Sequence, residues 1–183
     1  LESRDGSIAI GDLRARLDLD YRQPANAGAL LASDATLQGG ELLYGNTYVA
    51  LTDAPVHAPV DARQLAHGDW DVPHLSWQDG DALAIEGAAT LAADGTPSRL
   101  ELAARSATLE TVPARYLSGW LGLAGLSDLG LEGAFDARLR VEDGCLANID
   151  AAFHDVSVLD PRQRFRIEGL DGDLRHAADA GVE

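Results

Sequence analysis

From Leu129 to Phe153 apolar and polar side chains alternate almost without a break, and a two-residue period sustained this long is the mark of half-buried β-strands. Leu129, Leu131, Gly133, Phe135, Ala137, Leu139 and Val141 share one parity, with Glu132, Asp136, Arg138 and Arg140 on the other. After Asp143-Gly144, the residues Cys145, Ala147, Ile149, Ala151 and Phe153 continue the apolar side. A three-residue loop, Glu142-Asp143-Gly144, pairs Val141 with Cys145 and keeps both apolar sides together, whereas a two-residue loop sets Leu139 against Asn148. At about 3.3 Å per residue the first strand alone extends for roughly 40 Å, well beyond the usual strand. A long sheet with one apolar face therefore dominates whatever this chain folds into.

Asp-Gly steps at 5–6, 79–80, 94–95, 143–144 and 171–172 separate further alternating runs, the pattern of consecutive antiparallel hairpins. Around Asp94-Gly95 a two-residue turn pairs Ala93 with Thr96, Ala89 with Leu100 and Gly87 with Leu102, so that Leu83, Ile85 and Leu91 join their face. A first strand is expected over 7–21, with Leu13, Leu17, Leu19 and Tyr21 on one side and a bulge near Gly11-Asp12 absorbing the opposite parity of Ile8 and Ile10. A short strand pair follows over 35–43 and 47–51, linked through Tyr44-Gly45-Asn46. Pro55 and Pro59 make 52–64 an irregular or edge connection. Trp70, Val72, Leu75 and Trp77 form a strand broken at Pro73. Pro113 suits a first helical turn, Tyr116, Leu117, Trp120 and Leu121 follow at helical spacing, and Gly122 and Gly125 end the helix. Such a helix either plugs one end of the sheet or packs on it as a plain connection. A last strand is expected around 165–174, and the tail from His176 is expected to fray.

The fold class is accordingly mainly β, a long antiparallel sheet with one short helix. The same apolar faces also allow a closed β-sandwich or barrel. With 183 residues and 46% apolar content the chain suits a single β-rich unit, 1–183, with a sub-boundary near 52–67. It begins at Leu1 rather than methionine, which reads as a segment of a larger protein. No apolar run approaches the roughly 20 residues needed to cross a bilayer as a helix.

Thirty acidic against fourteen basic residues give a net charge of −16, which argues against nucleic acid as a partner and against electrostatic docking onto an anionic membrane surface. Every basic residue is arginine, and the lone Cys145 excludes an internal disulfide and reads as a small buried hydrophobe. His57, His67 and His74 lie near Asp61, Asp69 and Asp71, but their spacing fits no compact zinc motif, and solvated loop histidines explain them. Carboxylates abound on polar strand faces, where solvation accounts for them without glycosidase chemistry. There is no nucleophile elbow around Ser118-Gly119 and no phosphate loop at Gly39-Gly40. Trp70, Trp77 and Trp120 serve either as core packing or as a sugar-stacking or interfacial surface. The expectation is a non-enzymatic protein with no cofactor and no metal.

The runs Leu129-Gly-Leu-Glu-Gly-Ala-Phe-Asp-Ala-Arg-Leu-Arg-Val141, Phe153-His-Asp-Val-Ser157 and Gly169-Leu-Asp-Gly-Asp-Leu174 resemble repeating segments of the AsmA-like proteins of Gram-negative envelopes, of the YhdP, TamB and YdbH type. The likeness is clearest over 68–175. It implies a long curved antiparallel sheet forming a U-shaped trough, whose apolar concave face carries phospholipid acyl chains between inner and outer membranes during outer-membrane biogenesis. It also implies a periplasmic location, with anchorage to the inner membrane through a segment outside this chain. The groove-lining residues on that reading are Leu13, Leu17, Leu19, Leu83, Ile85, Leu91, Leu100, Leu102, Leu131, Phe135, Leu139, Val141, Ile149 and Phe153. An envelope scaffold that binds other envelope proteins without a lipid is the alternative, with a hydrolase further behind.

Overall fold

The computed structural model describes residues 3, 8–44, 47–51 and 55–178. The strands are β1 Ile8–Gly11, β2 Arg14–Arg22, β3 Leu30–Gln38, β4 Glu41–Tyr44, β5 Thr47–Ala50, β6 Val56–His57, β7 Val60–Gln64, β8 Trp70–Asp79, β9 Leu83–Leu91 and β10 Pro97–Ser106. A π-helical turn, Pro113–Leu117, then runs into α1, Ser118–Leu123, and β11 Gly130–Glu142, β12 Cys145–Leu159 and β13 Arg166–Ala177 complete the chain. Ten strands form one antiparallel sheet in the order β13-β12-β11-β10-β9-β8-β6-β3-β2, with β7 following β6 between β3 and β8. A separate three-stranded sheet has the order β1-β4-β5. The large sheet is an open meander: β2 and β13 are its two edges and do not pair with each other, so it is not a closed barrel.

The central hairpin keeps its faces as expected but reaches them by another route. Asp143 and Gly144 both have positive φ, +50° and +73°, and form a two-residue turn that pairs Glu142 with Cys145. The register then shifts between Arg140 and Val141, where Ala147 is the extra residue, and Leu139 stands opposite Ile149. The Asp94-Gly95 hairpin shows the converse. The Ala92 amide donates to the Thr96 carbonyl and encloses a three-residue loop, a shift at Ser98 absorbs the difference, and Ala89 pairs with Leu100 and Gly87 with Leu102 as anticipated. Because Cys145 immediately follows a two-residue turn it is exposed, not buried.

Three other expectations are corrected. The 7–21 run is not one bulged strand: the chain breaks at Asp12, with φ +49°, and crosses from the small sheet into the large one, leaving Leu13 in the link. Likewise β3 begins at Leu30, and the left-handed pair Gly39-Gly40, with φ +66° and +83°, redirects the chain into β4. A Cβ on Gly40 would lie 2.4 Å from the Gly11 carbonyl, so glycine is required there. The Pro-containing stretch is not an edge but an interior position: β6 and β7 both pair with β3 and β8, and the proline between them leaves its carbonyl to accept the Ser76 amide at 3.0 Å. Residues 5–7, 45–46, 52–54 and 179–183, which enter several expectations, lie outside the described residues.

The helical segment packs on the apolar side of the large sheet, where β8 and β12 end. Leu109 and Val112 form a core with Val156, against which Tyr116, Leu117, Leu131, Phe135, Phe153 and Val158 pack, and β5 of the small sheet lies against the helix. A buried polar chain pins it in place. Trp77 Nε1 donates to Tyr116 Oη at 2.9 Å, Tyr116 Oη donates to Asp79 Oδ2 at 2.6 Å, and Arg115 Nε lies 2.8 Å from the same oxygen. Burial, then the Asp79 hydrogen bond, raises the Tyr116 hydroxyl above its ordinary range, so it remains a donor.

The helix ends as expected, at Gly125 with φ +70°. Trp120 does not follow the expected stripe. The π-turn holds one more residue than an α-turn and rotates the succeeding residues about the helix axis, which leaves Trp120 51% exposed.

The loop after β12 clasps the same end. Arg164 Nε donates to Asp160 Oδ2 at 2.6 Å, Nη2 donates to Oδ1 at 3.1 Å, and Nη2 also reaches the Gly125 carbonyl at 3.0 Å. That arginine, ahead of the backbone amides, holds the Asp160 carboxyl down at about 2. A folded value below the unfolded one contributes stability above about pH 4 that is lost as pH falls toward 2. Asp160→Asn is therefore expected to flatten the acid limb of a stability profile between those values, as read by thermal melts at stepped pH.

Candidate functional site

Directly paired residues on neighbouring strands share a face, so the registers trace which side chains line up across the sheet. One row runs Leu19, Ser33, Val60, Leu75, Gly87, Leu102, Leu139, Ile149, His176 and so crosses the sheet from β2 to β13. Beside it stand Val72, Ala89, Leu100, Val141 and Leu146 on one flank and Trp77, Ile85, Ala104, Ala137, Ala151 and Leu174 on the other. Phe135 opposite Phe153 and Leu131 opposite Val158 continue the face to the helix. Small residues such as Gly87 and Ala137 alternate with leucines, and a Cβ on Gly87 would sit 2.7 Å from Leu102 Cδ2, so the leucine leans over the glycine.

Of the expected groove residues, the structure brings thirteen onto this one face and leaves Leu13 in the link between sheets. Leu83, Ile85, Leu91, Leu100, Leu102, Leu131, Phe135, Leu139, Val141, Ile149 and Phe153 are half-buried: each packs against its neighbours within the sheet while keeping solvent access. Leu17 and Leu19 on edge strand β2 are 59% and 58% exposed, and Leu174 on the opposite edge is 50% exposed. Val56, Val72 and Ala89 are buried on this face, while most of its other aliphatic side chains keep solvent access. A contiguous exposed apolar surface beyond a few hundred Å² is unusual in a soluble protein and marks a place where something else binds.

Leu31, Val60, Leu75 and Trp77 also belong to the face, although the sequence reading does not single them out as groove residues. They sit on β3, β7 and β8, where Pro55, Pro59 and Pro73 disturb the alternation. At Pro73-His74 two residues oppose Ala88 alone, which moves the apolar parity from Val72 to Leu75. Reading parity separately on each side of a proline finds them.

The opposite face is charged. Arg99 faces Glu142, Glu101 faces Arg140, Arg105 faces Asp136, and Asp150 stands between Arg138 and Arg175. Such exposed pairs contribute little stability each, but they keep this side in water and disfavour slipped registers. A recess of about 570 Å³ opens here, lined by Ala103, Arg105, Asp136, Arg138, Asp150, Asp173 and Arg175 among others. It forms where short alanines stand between long charged side chains, and its alternating signs select no ion.

The histidines do not converge. His57 Nδ1 meets Thr36 Oγ1 at 3.4 Å, His74 pairs across strands with Asp61, and among the described residues no three His, Cys, Asp or Glu side chains are grouped to hold a metal. Of the tryptophans, Trp77 packs edge-on against Tyr116 with ring centroids 6.4 Å apart, and Trp120 faces solvent. No helix among the described residues is long and apolar enough to cross a membrane. No protein family, curated protein or solved structure matches this chain.

Proposed function

We propose that this protein is a non-enzymatic lipid-binding module of the cell envelope, whose open apolar sheet face holds the acyl chains of phospholipid. The observation that carries this reading is the apolar face that runs across the open sheet from β2 to β13, most of whose aliphatic side chains keep solvent access. Taking one leucine side chain fully out of water contributes about 1.5–3 kcal/mol. A face with this many half-exposed aliphatic groups therefore favours an apolar occupant over water. Acyl chains suit it because contact with them is non-directional and the face offers few hydrogen-bonding groups. The resemblance to AsmA-like proteins points the same way, to transfer of phospholipid across the periplasm and to an inner-membrane anchor elsewhere in the parent protein.

A photocrosslinking amino acid at Phe135 or Leu139 is expected to capture phospholipid when the protein is made in cells. Absence of any lipid adduct at both positions would sink the reading. A second reading, an envelope scaffold, draws on the unpaired edges β2 and β13, which offer ladders for strand addition by another protein. It is favoured if position 139 crosslinks to protein in place of lipid.

A further inference from the structure

The two edges of the large sheet are built differently. β13 is blunted: its register with β12 shifts twice, Gly169 sits at φ +62°, and Asp171 Oδ1 turns back to accept the Asp155 amide at 2.9 Å. Over Arg14–Arg22, β2 has no glycine, proline or bulge and pairs with β3 residue for residue. Among the described residues its outer ladder is unpaired, and the whole strand is exposed. Its charges are also symmetric. Arg14 and Arg16 precede Leu17, and Asp18 and Asp20 follow it, so the strand is its own antiparallel complement. Within one copy Asp18 lacks a cation across the ladder, because it stands opposite Asp34 of β3, a like-charge pair. Arg16 reaches it along the strand at 3.3 Å, with the two side chains 81% and 70% exposed.

We infer that a second copy of this chain docks along β2, as an antiparallel strand pair centred on Leu17 about a two-fold axis normal to the sheet. Leu17 then faces the partner's Leu17, Arg16 faces the partner's Asp18, Arg14 faces the partner's Asp20, and Ala15 meets the partner's Leu19 on the apolar side. Sliding the strands by two residues sets Asp18 against the partner's Asp18 or Arg16 against the partner's Arg16, and an odd slip sets leucine against charge. The charge pattern thus selects both the occupant and the register. β2 carries Arg14, Arg16 and Arg22 against Asp18 and Asp20, so the seam is not acidic, and physiological salt screens the remaining charge beyond about 8 Å. The two sheets continue as one, with both apolar faces on the same side. The pairing does not depend on what occupies those faces.

The first test uses the whole chain with Cys145→Ser, which removes its one thiol. Directly opposed residues of an antiparallel pair have Cα atoms about 4.5–5.5 Å apart, within disulfide reach. Leu17→Cys is therefore expected to oxidise to a covalent dimer, whereas Leu19→Cys, which faces Ala15, is expected to stay monomeric. Equal oxidation at both positions, or at neither, would overturn the proposal. In sedimentation up to about 1 mM the unaltered chain should form reversible dimers, since so small an interface associates weakly. Arg16→Asp and Asp18→Arg should each weaken dimerisation about tenfold, and mixing the two variants should restore it, because each then meets opposite charge. Asp173→Arg on β13 should leave it unchanged. Circular-dichroism melts of each variant check that the fold is kept. A monomer at every concentration would overturn the proposal, as would dimers lost on Asp173→Arg and kept on Arg16→Asp. A monomer that still crosslinks lipid at position 139 removes the dimer alone. A dimer without that crosslink removes the lipid reading alone.

Discussion

Replacing Asp79 by alanine is expected to destabilise the fold by about 3–5 kcal/mol, a fall in Tm of roughly 6–20 °C for a chain of this size. Its carboxylate is 1% exposed and takes both the Arg115 guanidinium, itself 9% exposed, and the Tyr116 hydroxyl. Removing it takes away a carboxylate that the Arg115 guanidinium and the Tyr116 hydroxyl share in a site with little water. The large term is the desolvation of those two groups, not the attraction of the pair. The double change Asp79→Leu with Arg115→Met should therefore recover most of the loss. Thermal melts of the single and double variants decide the point: equal losses in both would show that Asp79 matters for packing alone. Because this network pins the helical turn onto Trp77, hydrogen exchange in 113–123 should also rise in the single variant.

Gly133→Ala is the second large effect, on the order of 2–4 kcal/mol. The residue sits at φ +103°, and a Cβ there would meet the Asp155 and His154 carbonyl oxygens at 2.6 and 2.8 Å and Val156 Cα at 2.8 Å. At this point two residues of β12, Asp155 and Val156, oppose one of β11, and the bulge turns Val156 into the core under the helix. The Gly133 carbonyl accepts the Leu109 amide at 3.0 Å, which ties the bulge to the segment leading into that helix. Gly144→Ala provides the comparison: φ is +73° but nothing lies within 4 Å, so only the left-handed conformation is strained, at about 1–2 kcal/mol. Equal melting temperatures for the two variants would contradict the steric account of Gly133.

Parity survives the step from sequence to structure better than turn length does. Phe135 still faces Phe153, and Ala89 still faces Leu100, because a one-residue slip would move every leucine into water. The turns themselves are set by neighbours the sequence does not reveal. Asp143 donates its amide to the Ser98 carbonyl on the next hairpin, at 2.8 Å, and the bulges at Ala147 and Ser98 then restore the faces. Cys145 is misread for the same reason, since its exposure depends on turn length.

Pro55 and Pro59 hide an interior strand because it is split into β6 and β7, with Pro55 ahead of β6 and Pro59 between the two, so neither proline has to donate within a strand. The helix is legible from Pro113 and Gly125, but the outward turn of Trp120 is not, because it arises from the π-turn. Chain continuity between the two sheets at Asp12 and at Gly39-Gly40 leaves a signal only in the glycines. The lipid reading of the apolar face comes from the family resemblance, and the openness of that face comes from the edges β2 and β13.

The central claim is that one face of the sheet meets acyl chains while the other meets water. Photocrosslinkers placed at the adjacent positions 138 and 139 test it in one strand, because Arg138 and Leu139 point to opposite faces. In protein made in cells, mass spectrometry is predicted to find phospholipid attached at 139 and none at 138. Lipid at neither position, or equally at both, would contradict an apolar face built to hold it.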